Sequence, residues 1–447
     1  MNSGCPAIRP ANIPSRIQSV ISDNAARPRP MPGLRHGSSL RSSPAQAAGG
    51  PVRWTRFVVS WASTVAAIAA TVSLAASAQA APAKPTPAPF PVTDIARLYA
   101  SDVSSYPGGV YLQPVETFTA LRRDHPEVMA RNLETAVAIN QSAAGNPGLQ
   151  RRALADAHDD PLWTMSDAFG DRLGRDFRNA LAADRLPKTT ALFSDYLARA
   201  GGLANATLVE KYVFGYERPF IVAPERIRKY MRAGASEYDA LGSNPSFPSG
   251  HTSLFFWRGT LFASMLPELA PQFLARASEG GYHRIVLGVH YPLDVIGGAI
   301  VGQAAAADRW NDPQFRRLLA ASATEIRKEL EWRCGAALSV CIARDTPYAT
   351  DAAAQTIYAQ RMTYGFGRVS SPTHPMVVPR QAVELIAGAY PQLTDAQRRQ
   401  VLEQTASPAG YPLDDQRPGR ASWQRLDLVR AYTADVTVGR DGRVTVH

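Results

Sequence analysis

From about Thr93 to Arg344, apolar residues recur three and four positions apart, the repeat of a helix with one buried face. The segments FTALRRDHPEVMARNLETAVAINQ, QRRALADAHD, DRLGRDFRNALAADR, TTALFSDYLARAGG and SLFFWRGTLFASMLPELA follow it, and alternating strand-like runs are scarce. The pattern predicts an all-α helical bundle over residues 93–345, followed by a small C-terminal accessory module, residues 346–447, that contains the Pro-rich stretch SPTHPMVVPR. Within the module, Thr394-Asp395-Ala396-Gln397 has the form of a capping box opening a helix. Two VTV runs around Asp441-Gly442 predict a terminal β-hairpin. The module offers no chemistry of its own, so cutting the chain after Ser371 is expected to leave the chemistry in place.

Ahead of Thr93 the pattern changes. Residues 81–92, APAKPTPAPFPV, read as a linker that its prolines keep extended and detached from any core. Residues 57–80 are apolar and small, follow Arg53 and Arg56, and end in Ala78-Gln79-Ala80, the pattern of a secretory signal and its cleavage site. An uncleaved anchor is the alternative, since about 20 apolar residues can span a bilayer. Residues 1–56 read as a disordered basic leader, with Met31 as an alternative start. The signal implies a periplasmic or secreted protein. No other run reaches spanning length, because Arg258 and Asp294 interrupt the two candidates, so membrane contact is expected only through an uncleaved leader.

Charge first suggests a polyanion partner. The formal net charge is +10, but residues 1–56 hold eight arginines against one acid, Asp23, and so carry seven of the ten. The remainder is too weakly basic for a nucleic-acid partner. Of the three cysteines, Cys5 belongs to the leader, and Cys334 and Cys341 stand with six residues between them. That pair predicts a local disulfide, with two buried free thiols as the alternative, and without a nearby His cluster it makes a poor metal site.

Three short segments carry the candidate chemistry: Lys211-YVFGYE-Arg218-Pro219, Pro248-Ser249-Gly250-His251, and Arg284-IVLGV-His290-YPL-Asp294. Each alone is an ordinary motif. Together they supply three cations, Lys211, Arg218 and Arg284, able to hold a phosphoryl group, the guanidiniums by forking onto two oxygens. Ser249 and Gly250 stand where a helix begins, so their backbone N–H groups and the Ser hydroxyl can point at the same oxygens. Pro292 at a helix start places His290 one turn from Asp294, whose carboxylate can fix the imidazole tautomer and free Nε2 to attack. His251 then has the part of general acid to the leaving oxygen and general base to water. His158-Asp159-Asp160 is faintly like a metal site. Leaving-group contacts are expected from Tyr212, Phe214, Tyr216 or the stretch 236–247, although aromatics there more often serve a core.

In order, spacing and residue type, these motifs resemble the type 2 phosphatidic acid phosphatase superfamily and, within it, the bacterial class A non-specific acid phosphatases. The resemblance is firm from Lys211 to Asp294. It implies a helical fold, a phosphohistidine formed on His290, and a vanadate-sensitive acid phosphatase that hydrolyses small phosphate esters with no metal and no cofactor. One position departs: His283 stands where the family usually has Ser before the third-motif Arg, which puts one hydroxyl-to-phosphate contact in doubt. Vanadium-dependent haloperoxidases resemble the same superfamily, with the His at the position of His290 as ligand to vanadium, and remain an alternative, as does a phosphatase acting on lipid phosphates.

Overall fold

The computed structural model describes residues 81–447 apart from 196–197, 203–206, 233–236 and 372–373. The leader expected at 1–56 and the signal-like segment at 57–80 lie outside the described residues. The fold is helical, with a two-stranded sheet near the C-terminus.

Proline opens several of the long helices, where its fixed φ suits the first turn and its missing N–H has no partner to lose. It stands at the start of α1 (Pro126–Ser142) and α2 (Pro147–His158). The site is then built from α3 (Leu208–Phe214), α4 (Gly250–Met265), α5 (Ala270–Val286) and α6 (Pro292–Asn311). Behind these lie α7 (Pro313–Cys334), α8 (Asp351–Thr363) and α9 (Asp395–Gln404). Three of the expected helices are broken: SLFFWRGTLFASMLPELA leaves its helix at Leu266, before Pro267, and two others part elsewhere. Pro126 splits FTALRRDHPEVMARNLETAVAINQ, because the residue before a proline avoids helical backbone, leaving a separate helix at Thr117–Asp124. Within TTALFSDYLARAGG the α-helix Pro187–Phe193 ends at Phe193, after which Ser194 and Asp195 turn onto Asp160, the Asp195 N–H donating to its Oδ1 at 3.0 Å, and Arg199–Gly201 form a short 3-10 turn.

Helix α4 is apolar on every side and lies at the centre: all its residues except His251 are buried. Packed against it are α5 and α6. A Cβ on Gly298 of α6 would lie 2.5 Å from the Ser249 carbonyl oxygen, so the approach of α6 to the start of α4 requires glycine. Arg258 in the middle of α4 is buried too. Its Nε donates to the Phe193 carbonyl at 2.9 Å, at the end of the Pro187–Phe193 helix, where a cation meets otherwise unpaired carbonyls.

Residues 346–447 complete the core of this helical body. Helix α8 packs on α5, and the 3-10 segment Arg380–Ile386 packs on α6. Tyr358, Leu385, Leu402, Trp423 and Leu428 belong to one apolar cluster with Phe255, Phe262, Leu293 and Ile300. The capping box at Thr394 is present, its N–H donating to Gln397 Oε1 at 3.0 Å. The hairpin pairs β1 (Val436–Val438) antiparallel with β2 (Val444–Val446), Val436 opposite Val446.

The linker departs from the detached strand expected of it. Arg185 Nη2 donates to the Pro85 carbonyl at 2.9 Å, Lys188 donates to the Ala88 carbonyl, and Phe90 packs on the core. Residues 81–91 take no regular structure, so their backbone carbonyls are left for cationic side chains to take, and Val92 already begins a short helix. Cys334 and Cys341 are joined by a disulfide. Among the described residues no helix is long and apolar enough to cross a membrane.

Candidate active site

The three motif segments meet where α3, the turn before α4, and the α5–α6 connection converge. The connection is tightly specified. Gly288 has φ +68°, and a Cβ there would lie 2.3 Å from Ile227 Cγ2, so the turn that delivers His290 needs glycine. Asn140 of α1, fully buried, donates to the Val286 carbonyl at 2.8 Å and accepts from the Arg228 N–H at 2.8 Å, which pins the end of α5.

His290 lies against Asp294, Nδ1 to Oδ2 at 3.1 Å, and its Nε2 is 3.1 Å from Arg218 Nη1. A guanidinium can only donate, so Nε2 carries the lone pair and Nδ1 the proton. That tautomer leaves the ring lone pair on Nε2. Asp294 Oδ2 also accepts from the Tyr291 N–H at 2.9 Å and from the Ser246 hydroxyl. Burial pushes the Asp294 carboxyl up to about 6, opposed by the Ser246 and Tyr291 hydrogen bonds and by Lys211. Burial, with Arg218, Lys211 and Arg284 adding to it, holds the His290 imidazole well below its ordinary value.

The cations are arranged differently from the simple phosphate fork the sequence suggested. All five N–H groups of Arg218 are engaged by the protein. Nε donates to the Asn244 carbonyl (2.7 Å), Nη1 to the Val289 carbonyl (2.8 Å) and His290 Nε2, and Nη2 to Asn244 Oδ1 and the Pro245 carbonyl, both at 3.2 Å. Lys211 Nζ donates to the Pro245 and Ser246 carbonyls, each at 2.9 Å, which leaves one N–H of the ammonium for a ligand. Burial, then the nearby Arg218, holds the Lys211 ammonium well below its ordinary value. Arg284 is fully buried, and its charge acts on both histidines. The two cations of the first motif therefore shape the 244–246 turn as well as facing the site.

Ser249 also differs in part. Its backbone N–H donates to the Asp294 carbonyl at 2.9 Å and so is not offered to a ligand. Its Oγ caps α4, accepting from the Thr252 N–H at 3.3 Å and the Thr252 hydroxyl at 2.9 Å, and its own O–H remains to donate. Gly250 is the first residue of α4, where a backbone N–H has no acceptor within the helix. His251 alone on α4 keeps some exposure, and the Ala157 carbonyl at the end of α2 accepts a hydrogen bond from its ring. Burial, with Arg284 next, holds its imidazole well below the ordinary value.

Three contributors carried no signal in the sequence. Ser246 sits inside the stretch 236–247 without a motif of its own, and the carbonyls of Val289 and Ala157 are backbone atoms that no residue type announces. His283 turns to Asp156, Nδ1 to Oδ2 at 2.6 Å, in place of the hydroxyl contact a Ser would make. Of the aromatics, Phe214 and Tyr216 pack edge-on to Phe118 at 5.7 and 5.3 Å, whereas Tyr212 is exposed. Around His158, the carboxylates serve the protein: Asp159 pairs with Arg232 at 2.6 Å, and Asp160 caps the helix Pro161–Met165.

The sequence profile of the PAP2 superfamily matches residues 191–317. The chain is 29% identical over 169 residues to a non-specific acid phosphatase of Providencia stuartii, covering 37% of this chain and 62% of that protein. It is 29% identical over 182 residues to a non-specific acid phosphatase of Salmonella typhimurium, covering 38% and 67%. A lipid A 1-phosphatase of Rhizobium etli is 32% identical over 114 residues, covering 26% and 43%. The match thus spans about three fifths of the Providencia protein's length. The segment that brings Lys211, Arg218, His251, Arg284, His290 and Asp294 together is the part of the chain that matches the PAP2 superfamily profile, and the chain is similar there to bacterial non-specific acid phosphatases.

Proposed function

We propose that this chain is an exported, metal-independent acid phosphatase that cleaves phosphate monoesters through a phosphohistidine. The observation that carries the reading is the His290 geometry: a buried imidazole whose Nδ1–H is held by Asp294 and whose Nε2 lone pair meets Arg218, with the charges of Lys211 and Arg284 acting on the ring. The phosphoryl group sits among Lys211, Arg218, Arg284 and the start of α4, its charge held by donors already in place. Nε2 of His290 attacks phosphorus in line, a P–N bond forms, and the P–O bond to the alcohol breaks as His251 delivers a proton to the leaving oxygen. His251 then takes a proton from water, whose oxygen attacks phosphorus. The P–N bond breaks, and phosphate departs with His290 restored. His251 suits this part because it is the one residue of α4 that keeps contact with the outside, on the side where an alcohol can leave.

Export rests on the signal-like segment 57–80 and on the Cys334–Cys341 disulfide, which belongs to an oxidising compartment. A second reading, lipid phosphates as substrates, has one observation in its favour. Helix α3 turns Glu210 and Lys211 inward and exposes Leu208, Val209, Tyr212 and Val213, an apolar face beside the site.

The deciding experiment is a panel of small monoesters, a long-chain lipid phosphate in mixed micelles, and halide oxidation with added vanadate, assayed on purified protein. Small monoesters are expected to turn over, with activity kept in chelator and blocked by vanadate. Halide oxidation without phosphatase activity overturns the reading, and loss in chelator restored by a divalent ion overturns its metal independence.

The pH dependence follows from the histidines. Because His290 binds its proton well below the ordinary 6.5, the nucleophile stays neutral at pH values where a free imidazole is charged. The acid limb of kcat/KM is therefore expected below pH 6.5, and a limb at or above that value contradicts the assignment of a buried, neutral nucleophile.

A further inference from the structure

Behind the two histidines lies a buried ionic cluster that the phosphatase reading does not use. Asp156 is held between two partners. Arg276 donates Nη1 to its Oδ2 at 3.0 Å and Nη2 to its Oδ1, and His283 places Nδ1 2.6 Å from Oδ2. Asp156 and Arg276 are each only 2% exposed, and His283 is fully buried. Around them Arg276 Nε donates to the Thr164 carbonyl at 3.2 Å, and Glu279 takes Arg152 at 2.7 Å and the Tyr348 hydroxyl at 2.8 Å.

The position of this cluster in the chain matters more than its charge. Asp156 immediately precedes Ala157, whose carbonyl accepts from the His251 ring, and His283 immediately precedes Arg284. Asp156 is on α2, and Arg276 and His283 are on α5, so the cluster fixes the last turn of α2 against about the last three turns of α5. A carbonyl that accepts a ring N–H sets both the tautomer and the plane of an imidazole. A carboxylate between two donors also resists rotation far better than one with a single partner.

We propose that Asp156, clamped by Arg276 and His283, is a positioning residue for His251: it holds the Ala157 carbonyl where it fixes the His251 ring toward the leaving oxygen. His283 thereby has a task in this chain in place of the hydroxyl contact that a Ser would make. The inference rests on the phosphatase reading for its kinetic test.

That test compares kcat/KM for 4-nitrophenyl phosphate and for an alkyl phosphate in the wild-type chain and in Asp156→Asn. A nitrophenolate leaves with little help, whereas an alkoxide needs its proton, so loss of His251 alignment falls on the alkyl ester. Asp156→Asn is expected to lower kcat/KM for the alkyl ester at least about tenfold more than for the nitrophenyl ester. Competitive inhibition by inorganic phosphate should stay within about threefold of wild type, because the phosphoryl cradle is untouched. A merely structural role would depress both esters alike, and equal losses or an unchanged ratio in a folded variant overturn the proposal. Should Asp156→Asn fail to fold with Arg276 left buried without its nearest counterion, His283→Asn keeps the Arg276–Asp156 fork and carries the same comparison, with a smaller shift in the same direction. A second readout is independent of turnover: ring-nitrogen NMR of His251 is expected to show one tautomer in the wild type and a mixture in the variant. If the wild type hydrolyses neither ester, the phosphatase reading fails, and the tautomer measurement alone decides the positioning role, with an unchanged tautomer overturning it.

Discussion

His290→Asn is expected to leave no phosphorylated protein after rapid quench with labelled substrate and to lower turnover by about ten-thousand-fold or more, the scale seen when a covalent nucleophile is removed. Asparagine can keep a donor toward Asp294, so the fold around the site should survive, but it has no lone pair that can bond phosphorus. His251→Asn separates the two histidines. It should slow an alkyl phosphate by about a hundred- to ten-thousand-fold and a nitrophenyl phosphate much less, because only the alkoxide needs a proton to leave. In that variant the phosphoenzyme still forms from the nitrophenyl ester and accumulates, since water now lacks its base. Mapping of the acid-labile phosphopeptide checks the division of labour: label on His251, or on any residue but His290, refutes it.

Cutting the chain after Ser371 is expected to unfold the protein, the reverse of what the motif positions alone suggested. Every motif residue lies at or before Asp294, but Leu385, Ile386, Leu402, Trp423, Leu428 and Val429, none more than 2% exposed, all lie beyond the cut and pack into the core that α4, α5 and α6 share. Burying one such side chain contributes about 1.5–3 kcal/mol, so together they match the whole net stability of a domain, about 5–15 kcal/mol. Circular dichroism and thermal unfolding of the truncated chain check this. A cooperative transition near the wild-type Tm with turnover intact would show that the tail is dispensable after all.

Much of the fold was legible because helices announce themselves by period. The helix of α4 was read from its apolar spacing, although its burial on every side was not, and the capping box at Thr394 and the terminal hairpin stand where their local chemistry placed them. What escaped was set by contacts distant in sequence. No periodicity foretells that Ser194 and Asp195 abandon a helix for Asp160, or that Arg185 and Lys188 catch a proline-rich segment about a hundred residues earlier. The candidate site divides the same way. Lys211, Arg218, His251, Arg284, His290 and Asp294 could be named because phosphoryl chemistry demands those residue types, and the structure brings them to one place. The roles of Ser246 and of the Ala157 and Val289 carbonyls could not, because a hydroxyl in an unremarked turn and two backbone oxygens have no spacing to read.

The Arg218–His290 contact has a further consequence. With every N–H of Arg218 already engaged, the guanidinium can turn to a phosphoryl oxygen only by letting go of something, and the bond to His290 Nε2 is the one whose loss exposes the attacking lone pair. If His290 is the nucleophile, as proposed, it is therefore capped until an anion strong enough to draw the cation away arrives beside it. On the proposed mechanism, admission would then be decided by charge before any contact with the alcohol. A doubly charged monoester lifts the cap most readily, a diester with a single charge less so, and a neutral triester has nothing with which to lift it.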